Sequence, residues 1–307
     1  MSKSLNILVT GSSGMLGRGI RSISHSMPHN IIFTSRDDLD VTNYENFANL
    51  HHRNIDVIFH CAAKVNADFC ERNRDVAKKI FIDGTNNVIN FAESIGAKII
   101  YPQSFLIFSS DENKITEKTL PNPNSYYGEL KLSCENQIIK SNKENLIVRM
   151  GGFFGGEEKD KNFVGKIIPN IIQAIKDNKK SIQIGDRVWQ PTYANDLAYN
   201  SIKLAENMKS GVYNMSSIDS ASFYELTCEI LKILDLDSII EAKKVSASIV
   251  ESNEDAKRPK NVILDLKKLS EENLNFQRSW KISLHEYLNQ DYFKNLVSTV
   301  RLKNAPR

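Results

Sequence analysis

The sequence predicts an α/β protein, a doubly wound parallel sheet with a smaller C-terminal substrate lobe. Three observations carry that prediction. A short apolar run, Asn6-Ile7-Leu8-Val9-Thr10, leads through a glycine-spaced turn into an apolar-periodic helix. Further apolar runs at 31–34, 57–63, 97–101 and 145–149 alternate with helical patterns, the arrangement that builds buried parallel strands. The strand tips after Thr10, Ser35, Ala62 and Ile100 then line one crevice, and ligands collect at that edge of such sheets.

The first turn reads Gly11-Ser12-Ser13-Gly14-Met15-Leu16-Gly17. Glycines let the backbone bend tightly and approach a pyrophosphate, whose charge faces the following helix N-terminus. The spacing is GxxGxxG rather than GxGxxG. The second strand ends at Ser35-Arg36, where an acid would bind a free ribose 2′-hydroxyl. A hydroxyl and a guanidinium suit a 2′-phosphate instead, so NADP(H) is the preferred cofactor and NAD(H) a possible one. Asp40 either accepts from the adenine amino group or begins the turn before a helix near 44–51.

The third strand ends in Cys61-Ala62-Ala63, small residues that let a flat cofactor lie on the strand tips. His60, inside the apolar run, reads as a hydrogen-bonded core histidine. Residues 74–95 are predicted helical, with Gly96 as C-cap. The fourth strand runs into Pro102-Gln103-Ser104-Phe105, placing Ser104 at a strand end. A polar loop over 111–124 follows, predicted to be mobile.

Pro123, Asn124 and Ser125 signal a helix entry. In that helix Tyr127 and Lys131 lie one turn apart on one face. A neighbouring ammonium lowers a phenol pKa from about 10, so Tyr127 is expected to trade a proton near neutral pH.

Beyond the strand at 145–149 the chain leaves the first lobe. Helices are predicted at 163–177, 194–206 and 222–234, and strands at 181–184 and 211–214; the helix at 194–206 returns to the sheet. The dinucleotide-binding domain is assigned to 1–150 with returning segments near 185–214, and 151–307 mainly to a discontinuous substrate-binding lobe. A final helix is expected over 284–300. Trp189 reads as a core aromatic before a base-stacking one.

Of 307 residues, 41% are hydrophobic and 25% charged, with a net charge of +3. That balance offers no nucleic-acid or membrane-binding patch, and the basic residues Arg301, Lys303 and Arg307 read as a solvated tail. No apolar run reaches the roughly 18 residues of a membrane span. Cys61, Cys70, Cys134 and Cys228 form no CxxC pair, so reduced thiols in a cytoplasmic protein are expected, with no metal site. Because a strand-like run starts within a few residues, no signal peptide is expected.

Taken together, Gly11, Gly14, Gly17, Asp40-Val41, Cys61-Ala62-Ala63, Ser104 and Tyr127-Gly128 with Lys131 resemble the extended short-chain dehydrogenase/reductases. The resemblance is closest to the dTDP-4-dehydrorhamnose reductase group of nucleotide-sugar reductases, which have a Rossmann-like fold. Arg149, Phe153-Phe154-Gly155, Asn162-Phe163-Val164, the run from Gln190 to Ala198 and Ala256-Lys257-Arg258-Pro259-Lys260-Asn261 continue it in order.

The resemblance implies that Lys131 binds the nicotinamide ribose, Tyr127 delivers a proton to a carbonyl oxygen, and Ser104 holds that oxygen. It implies a cofactor site of Gly11, Gly14, Met15, Leu16, Gly17, Ser35, Arg36, Asp40, Val41, Cys61, Ala62, Ala63, Lys64, Tyr127 and Lys131. Ser104, Phe105, Phe153 and Arg258 would meet a nucleotide-sugar substrate, Arg258 on its diphosphate. A homodimer through helices including that of Tyr127 is implied as well.

Three departures matter. The family's Ser-Thr-Asp-Tyr string is Gln103-Ser104-Phe105-Leu106 here. Sugar 4,6-dehydratases carry Asp-Glu after the hydroxyl residue and GDP-fucose synthases a Cys, so Phe105 and Leu106 exclude both chemistries. Asp83 stands where relatives have Asn. A C4 epimerase with tightly held NAD and a non-catalytic NADP-binding regulatory subunit remain as alternatives.

Overall fold

The computed structural model describes residues 4–109, 114–250 and 254–304. Residues 111–113 of the loop at 111–124 and Arg307 of the basic tail lie outside the described residues, whereas Arg301 and Lys303 fall within a helix, Asp291–Asn304, and not in an irregular tail.

Six parallel strands form the central sheet: β1 Asn6–Thr10, β2 Asn30–Thr34, β3 Val57–His60, β4 Lys98–Ser104, β5 Leu146–Met150 and, far along the chain, β10 Gly211–Met215. Their order is β10-β5-β4-β3-β1-β2. The chain turns back between β1 and β3, so their C-terminal tips flank the switch point where α/β sheets bind ligands. The fourth strand extends three residues beyond the apolar run, and its last residue is Ser104.

Side chains alternate across the sheet. Ile7, Val9, Phe59, Ile100 and Val148 face α1 (Met15–Ser24) and α7 (Ala194–Glu206), burying Leu16, Ile20, Leu197 and Ile202. Leu8, Ile58, Ile99, Tyr101 and Ile147 face the opposite layer. That layer holds α2 Ala67–Arg72, α3 Arg74–Lys78, α4 Gly84–Ile95 and α5 Tyr126–Ser141. A 3₁₀ segment at Tyr44–Leu50 adds Phe47 to it. Residues 74–95 are not one helix: Lys79–Asp83 is a π turn between α3 and α4, with Phe81 buried. Gly96 closes α4 at φ 70°, as a C-cap glycine does.

After β5 the chain builds a second core. It comprises β6 (Phe153–Phe154), α6 (Phe163–Lys176), β7 (Ser181–Gly185), β8 (Val188–Trp189) and β9 (Thr192–Tyr193) before α7 returns to the sheet. After β10 come β11 (Ala221–Ser222), α8 (Phe223–Ile233), β12 (Glu241–Val245), α9 (Ala247–Val250) and α10 (Lys267–Glu271). Ser222 and Glu225 cap α8 reciprocally. The helix expected over 284–300 is two, α11 Trp280–Leu288 and α12 Asp291–Asn304, parted at Asn289 and Gln290. Ile168, Ile171, Leu226, Ile230, Leu284 and Val297 fill this core. Among the described residues no helix is long and apolar enough to cross a membrane, and no acid, His and Cys group could hold a metal ion.

Candidate active site

The glycine turn is shaped by contact. Gly11 has φ 65°, and a Cβ on it would lie 2.7 Å from the backbone of Ala62; one on Gly17 would lie 2.5 Å from Ser12 Cα. The turn therefore lies flush with the tip of β3 and with its own first residues. Gly14 N–H donates to Gly11 O at 3.0 Å, and Ser12 N–H donates to Thr34 O at 2.9 Å, tying the turn to β2. Gly14 opens α1 without a side-chain cap. Such an end, with its positive dipole, fits a pyrophosphate. Met15 and Leu16 are buried in the first turn of α1.

At the tip of β2, Ser35 gives both its N–H and its hydroxyl to the Asp38 carboxylate, at 2.9 and 2.7 Å. Those bonds hold Asp38 below the usual carboxylate range. Arg36 is exposed, and among the described residues it makes a 3.5 Å contact to Asp40. Asp40 takes the turn role, accepting from the N–H and hydroxyl of Thr42. The Val41 side chain is buried in the sheet core, and its carbonyl accepts from Asn87. The Arg36 cation is thus free to meet a ligand. The Ser35 hydroxyl is committed, and an acid that the sequence reading passed over stands beside it.

His60 is the hydrogen-bonded core residue expected. Its two ring nitrogens meet Thr10 Oγ1 at 3.0 Å and Thr85 Oγ1 at 3.2 Å. Burial, helped by the Lys131 charge, pushes it down to about 3, so the ring is neutral. Cys61, Ala62 and Ala63 are half-buried at the tip beyond it, and burial pushes the Cys61 thiol up. Lys64 is exposed, its ammonium 4.6 Å from the Phe69 ring centroid. All four cysteines are free thiols.

Ser125 caps α5 by accepting from Gly128 N–H at 3.3 Å. Gly128 lets the helix approach: a Cβ there would lie 2.4 Å from Leu106 O. This contact presses α5 against the segment that follows Ser104. The Ser104 hydroxyl lies near enough to the Tyr127 phenol to favour its ionised form, and it accepts from Leu106 N–H at 3.2 Å. Phe81, from the π turn, meets the Tyr127 ring edge-on at 5.7 Å.

Lys131 corrects the sequence reading. Its Nζ donates to Pro102 O at 2.5 Å and lies 3.8 Å from the Tyr101 ring centroid, not on the phenol. Burial lowers Lys131 to about 8. Burial pushes Tyr127 up, not down, and the opposing effect of the Ser104 hydroxyl does not reverse it. Burial penalises the charged phenolate more than the Ser104 hydroxyl favours it.

The remaining substrate candidates are spread out. Phe105 packs against Ile107, Phe108, Ile115, Val262 and Leu264. Phe153 is half-buried against the α1–α7 side of the sheet. Trp189 is core, edge-on to Phe223 at 5.4 Å and lying over Gly152. Arg258 donates to Asp68 Oδ2 at 2.9 Å and pairs with Glu254 at 2.8 Å. It thus fastens α2 to the C-terminal part of the chain, and a diphosphate would compete with two carboxylates for it.

Three residues beneath the site had no assigned role in the sequence: Gln103, Glu135 and Arg149. Arg149 pairs with Glu135 at 2.5 Å with both side chains at or below 5% exposure. Gln103 donates to Glu135 at 2.7 Å. Two charges and an amide inside apolar or helical runs were the available signal.

The comparisons agree with this architecture. A family model described as the RmlD substrate binding domain matches residues 5–293. A dTDP-4-dehydrorhamnose reductase structure from Clostridium acetobutylicum ATCC 824 is 30% identical, with a TM-score of 0.83 over 93% of this chain and 99% of that one. A dTDP-4-dehydrorhamnose reductase from Bacillus anthracis str. Ames in complex with NADP shares the fold at 24% identity, with a TM-score of 0.82 over 93% and 99% of the two chains. The methionine adenosyltransferase 2 subunit beta of Rattus norvegicus is 26% identical over 301 residues, 93% of this chain and 87% of its own. Matched from its first strand into its last helix, the chain belongs to the RmlD substrate binding domain family.

Proposed function

We propose that the protein is a nicotinamide-dependent reductase of a 4-keto nucleotide sugar, with NADP(H) preferred. The observation that carries this reading is Ser104 at the end of β4, with α5, the helix of Tyr127, pressed against the segment that follows it, on the sheet edge that also holds the glycine turn. The turn from Gly11 to Gly17 would hold the pyrophosphate, Arg36 the 2′-phosphate, and Cys61, Ala62, Ala63 and Lys64 the strand-tip side of the cofactor. When bound, the cofactor supplies the hydride.

The residues of the chain do the rest. A phenol raised by burial stays protonated through neutral pH, the form needed to give a proton to a carbonyl oxygen. Ser104 holds that oxygen as negative charge develops. Lys131, carrying an amine held near 8, binds the nicotinamide ribose hydroxyls. Phe105, Phe153 and Arg258 belong to the substrate side in this reading, with Arg258 released from Asp68 or Glu254 when a diphosphate binds.

Replacing Tyr127 by Phe tests it. With a panel of keto-sugar nucleotides and NADPH, turnover should fall by about 10²–10⁴-fold. Unchanged turnover ends the proposed mechanism.

A second reading is a non-catalytic, NADP-binding regulatory subunit. Its support is the similarity along 93% of the chain to a methionine adenosyltransferase subunit beta, with Gln103 and Phe105 replacing the family's polar string. A thermal-shift panel separates the two: cofactor alone raising the melting temperature, with no added effect of any sugar nucleotide and no turnover, favours the regulatory reading. A methionine adenosyltransferase whose activity responds to the added chain would support it directly. An epimerase would instead purify with bound NAD and interconvert sugars without added cofactor.

A further inference from the structure

Tyr127, Lys131 and Glu135 follow one another at four-residue intervals along one face of α5. The upper two belong to the proposed chemistry. The third, Glu135, is 2% exposed and clamped from the sheet. Arg149 approaches it from β5, with Nη2 on Oε1 at 2.5 Å and Nε on Oε2 at 3.4 Å. Gln103, in register with Arg149 on β4, approaches from the neighbouring strand.

The Gln103 amide is fully used. Nε2 donates to Glu135 Oε2 at 2.7 Å and to Lys131 O at 2.9 Å. Oε1 accepts the N–H of Ser104 at 2.8 Å. Turning the amide over would set its oxygen against two acceptors and its NH₂ against a donor, so the three partners define one orientation. One buried side chain therefore touches the backbone of Ser104, the backbone of Lys131, and the ion pair that anchors the helix carrying Tyr127. Arg149 in turn is braced by Glu117 O at 3.1 Å, and Glu117 Oε1 accepts from Asn214 N–H on β10. The network thus spans three strands and the helix.

We propose that Gln103 is the positioning residue of this site: through Ser104 N–H, Lys131 O and Glu135 it sets the distance between the Ser104 and Tyr127 hydroxyls. The proposal rests on the reductase reading for its kinetic consequence only; the geometric claim is independent of turnover. Gln103 touches neither substrate nor cofactor in this role. Its effect passes through two groups that do, and a displacement of about 1 Å at reacting groups lowers rates by roughly 100-fold.

The test compares wild type with Gln103→Met, which keeps length but makes none of the three bonds. Gln103→Glu is the companion, keeping an acceptor for Ser104 N–H while placing a carboxylate beside Glu135. Both are measured for NADPH affinity, for kcat and KM with a keto-sugar nucleotide, and by crystallography at the Ser104–Tyr127 contact. The expected result is NADPH affinity and KM within about twofold of wild type, kcat lowered by about 100-fold, and the Ser104–Tyr127 hydroxyl separation changed with Glu135–Arg149 intact. A merely structural residue would lower stability and leave kcat of the folded fraction unchanged, which overturns the proposal. A crystal structure of either variant with the Ser104–Tyr127 contact superimposed on wild type overturns it too. If wild type turns over no keto-sugar, the reductase reading falls, and the crystallographic contact alone decides the role of Gln103.

Discussion

The two halves of the site are built from opposite materials. On the β1–β3 side the binding surface is made by leaving side chains out. Gly11, Gly17 and Ala62 bring backbone against backbone, and α1 starts with no side-chain cap. On the β4–β5 side the surface is made by burying polar side chains: Gln103, Lys131, Glu135 and Arg149 are all 4% exposed or less. A phosphate needs donors at close range and nothing in the way. A proton donor needs a fixed position and a tuned environment. The first requirement is met by local backbone, the second by a network that exists only when two strands and a helix meet.

That contrast can be broken by experiment, beginning where most is at stake. Arg149→Met takes the buried Glu135 carboxylate's cation away and leaves it the Gln103 amide. It should lower unfolding stability by about 3–5 kcal/mol, read by urea titration. A loss near zero would mean that the β4–β5 half does not depend on its buried charge.

His60 lies between the halves, and its effect depends on pH. Its folded pKa, about 3, lies below the ordinary 6.5, so the unfolded chain takes up the proton first. Its contribution is complete above about pH 6.5 and is lost as pH falls towards 3, by roughly 1.4 kcal/mol per unit and about 3 kcal/mol at pH 4. His60→Gln keeps partners for Thr10 and Thr85 without the titration, and should flatten that acid limb in urea midpoints. An acid limb as steep as that of wild type assigns the loss to other groups.

Gly11→Ala addresses the backbone half. The new methyl would sit 2.7 Å from Ala62 at φ 65°, and such overpacking costs about 1–3 kcal/mol. Cofactor affinity should weaken by roughly tenfold or more in a fluorescence titration, with Arg149→Met as the contrasting variant. If Gly11→Ala binds NADPH as wild type does, the close approach at β3 is not what shapes the loop.

The smallest effect is expected at the exposed Arg36. Arg36→Ala should weaken NADPH binding by roughly tenfold, the worth of one charge-assisted hydrogen bond, and leave NADH binding unaltered. Equal losses for both cofactors would remove the 2′-phosphate assignment and direct attention to Asp38.

Much of this was legible in the chain. The parallel sheet, the glycine turn, the entry into α5 at Ser125 and the return of the helix at 194–206 all appear as local patterns, and the structure has each of them. The core role of His60 was readable from its apolar neighbours. What misled was the pairing of Tyr127 with Lys131. Four-residue spacing puts two side chains on one face, but it does not say that Pro102 O takes the ammonium or that burial raises the phenol. The breaks at Lys79–Asp83 and at Asn289–Gln290 were also missed, since helical periodicity continues across them.

By itself the sequence determined the strands, most helix positions and the glycine turn, because apolar period, glycine placement and capping residues act over a few residues. Tertiary structure alone decided how the polar groups are charged and aimed. Proton affinity follows desolvation and partners drawn from distant segments, and only the folded chain brings Gln103, Arg149 and Glu135 beneath Ser104, Tyr127 and Lys131.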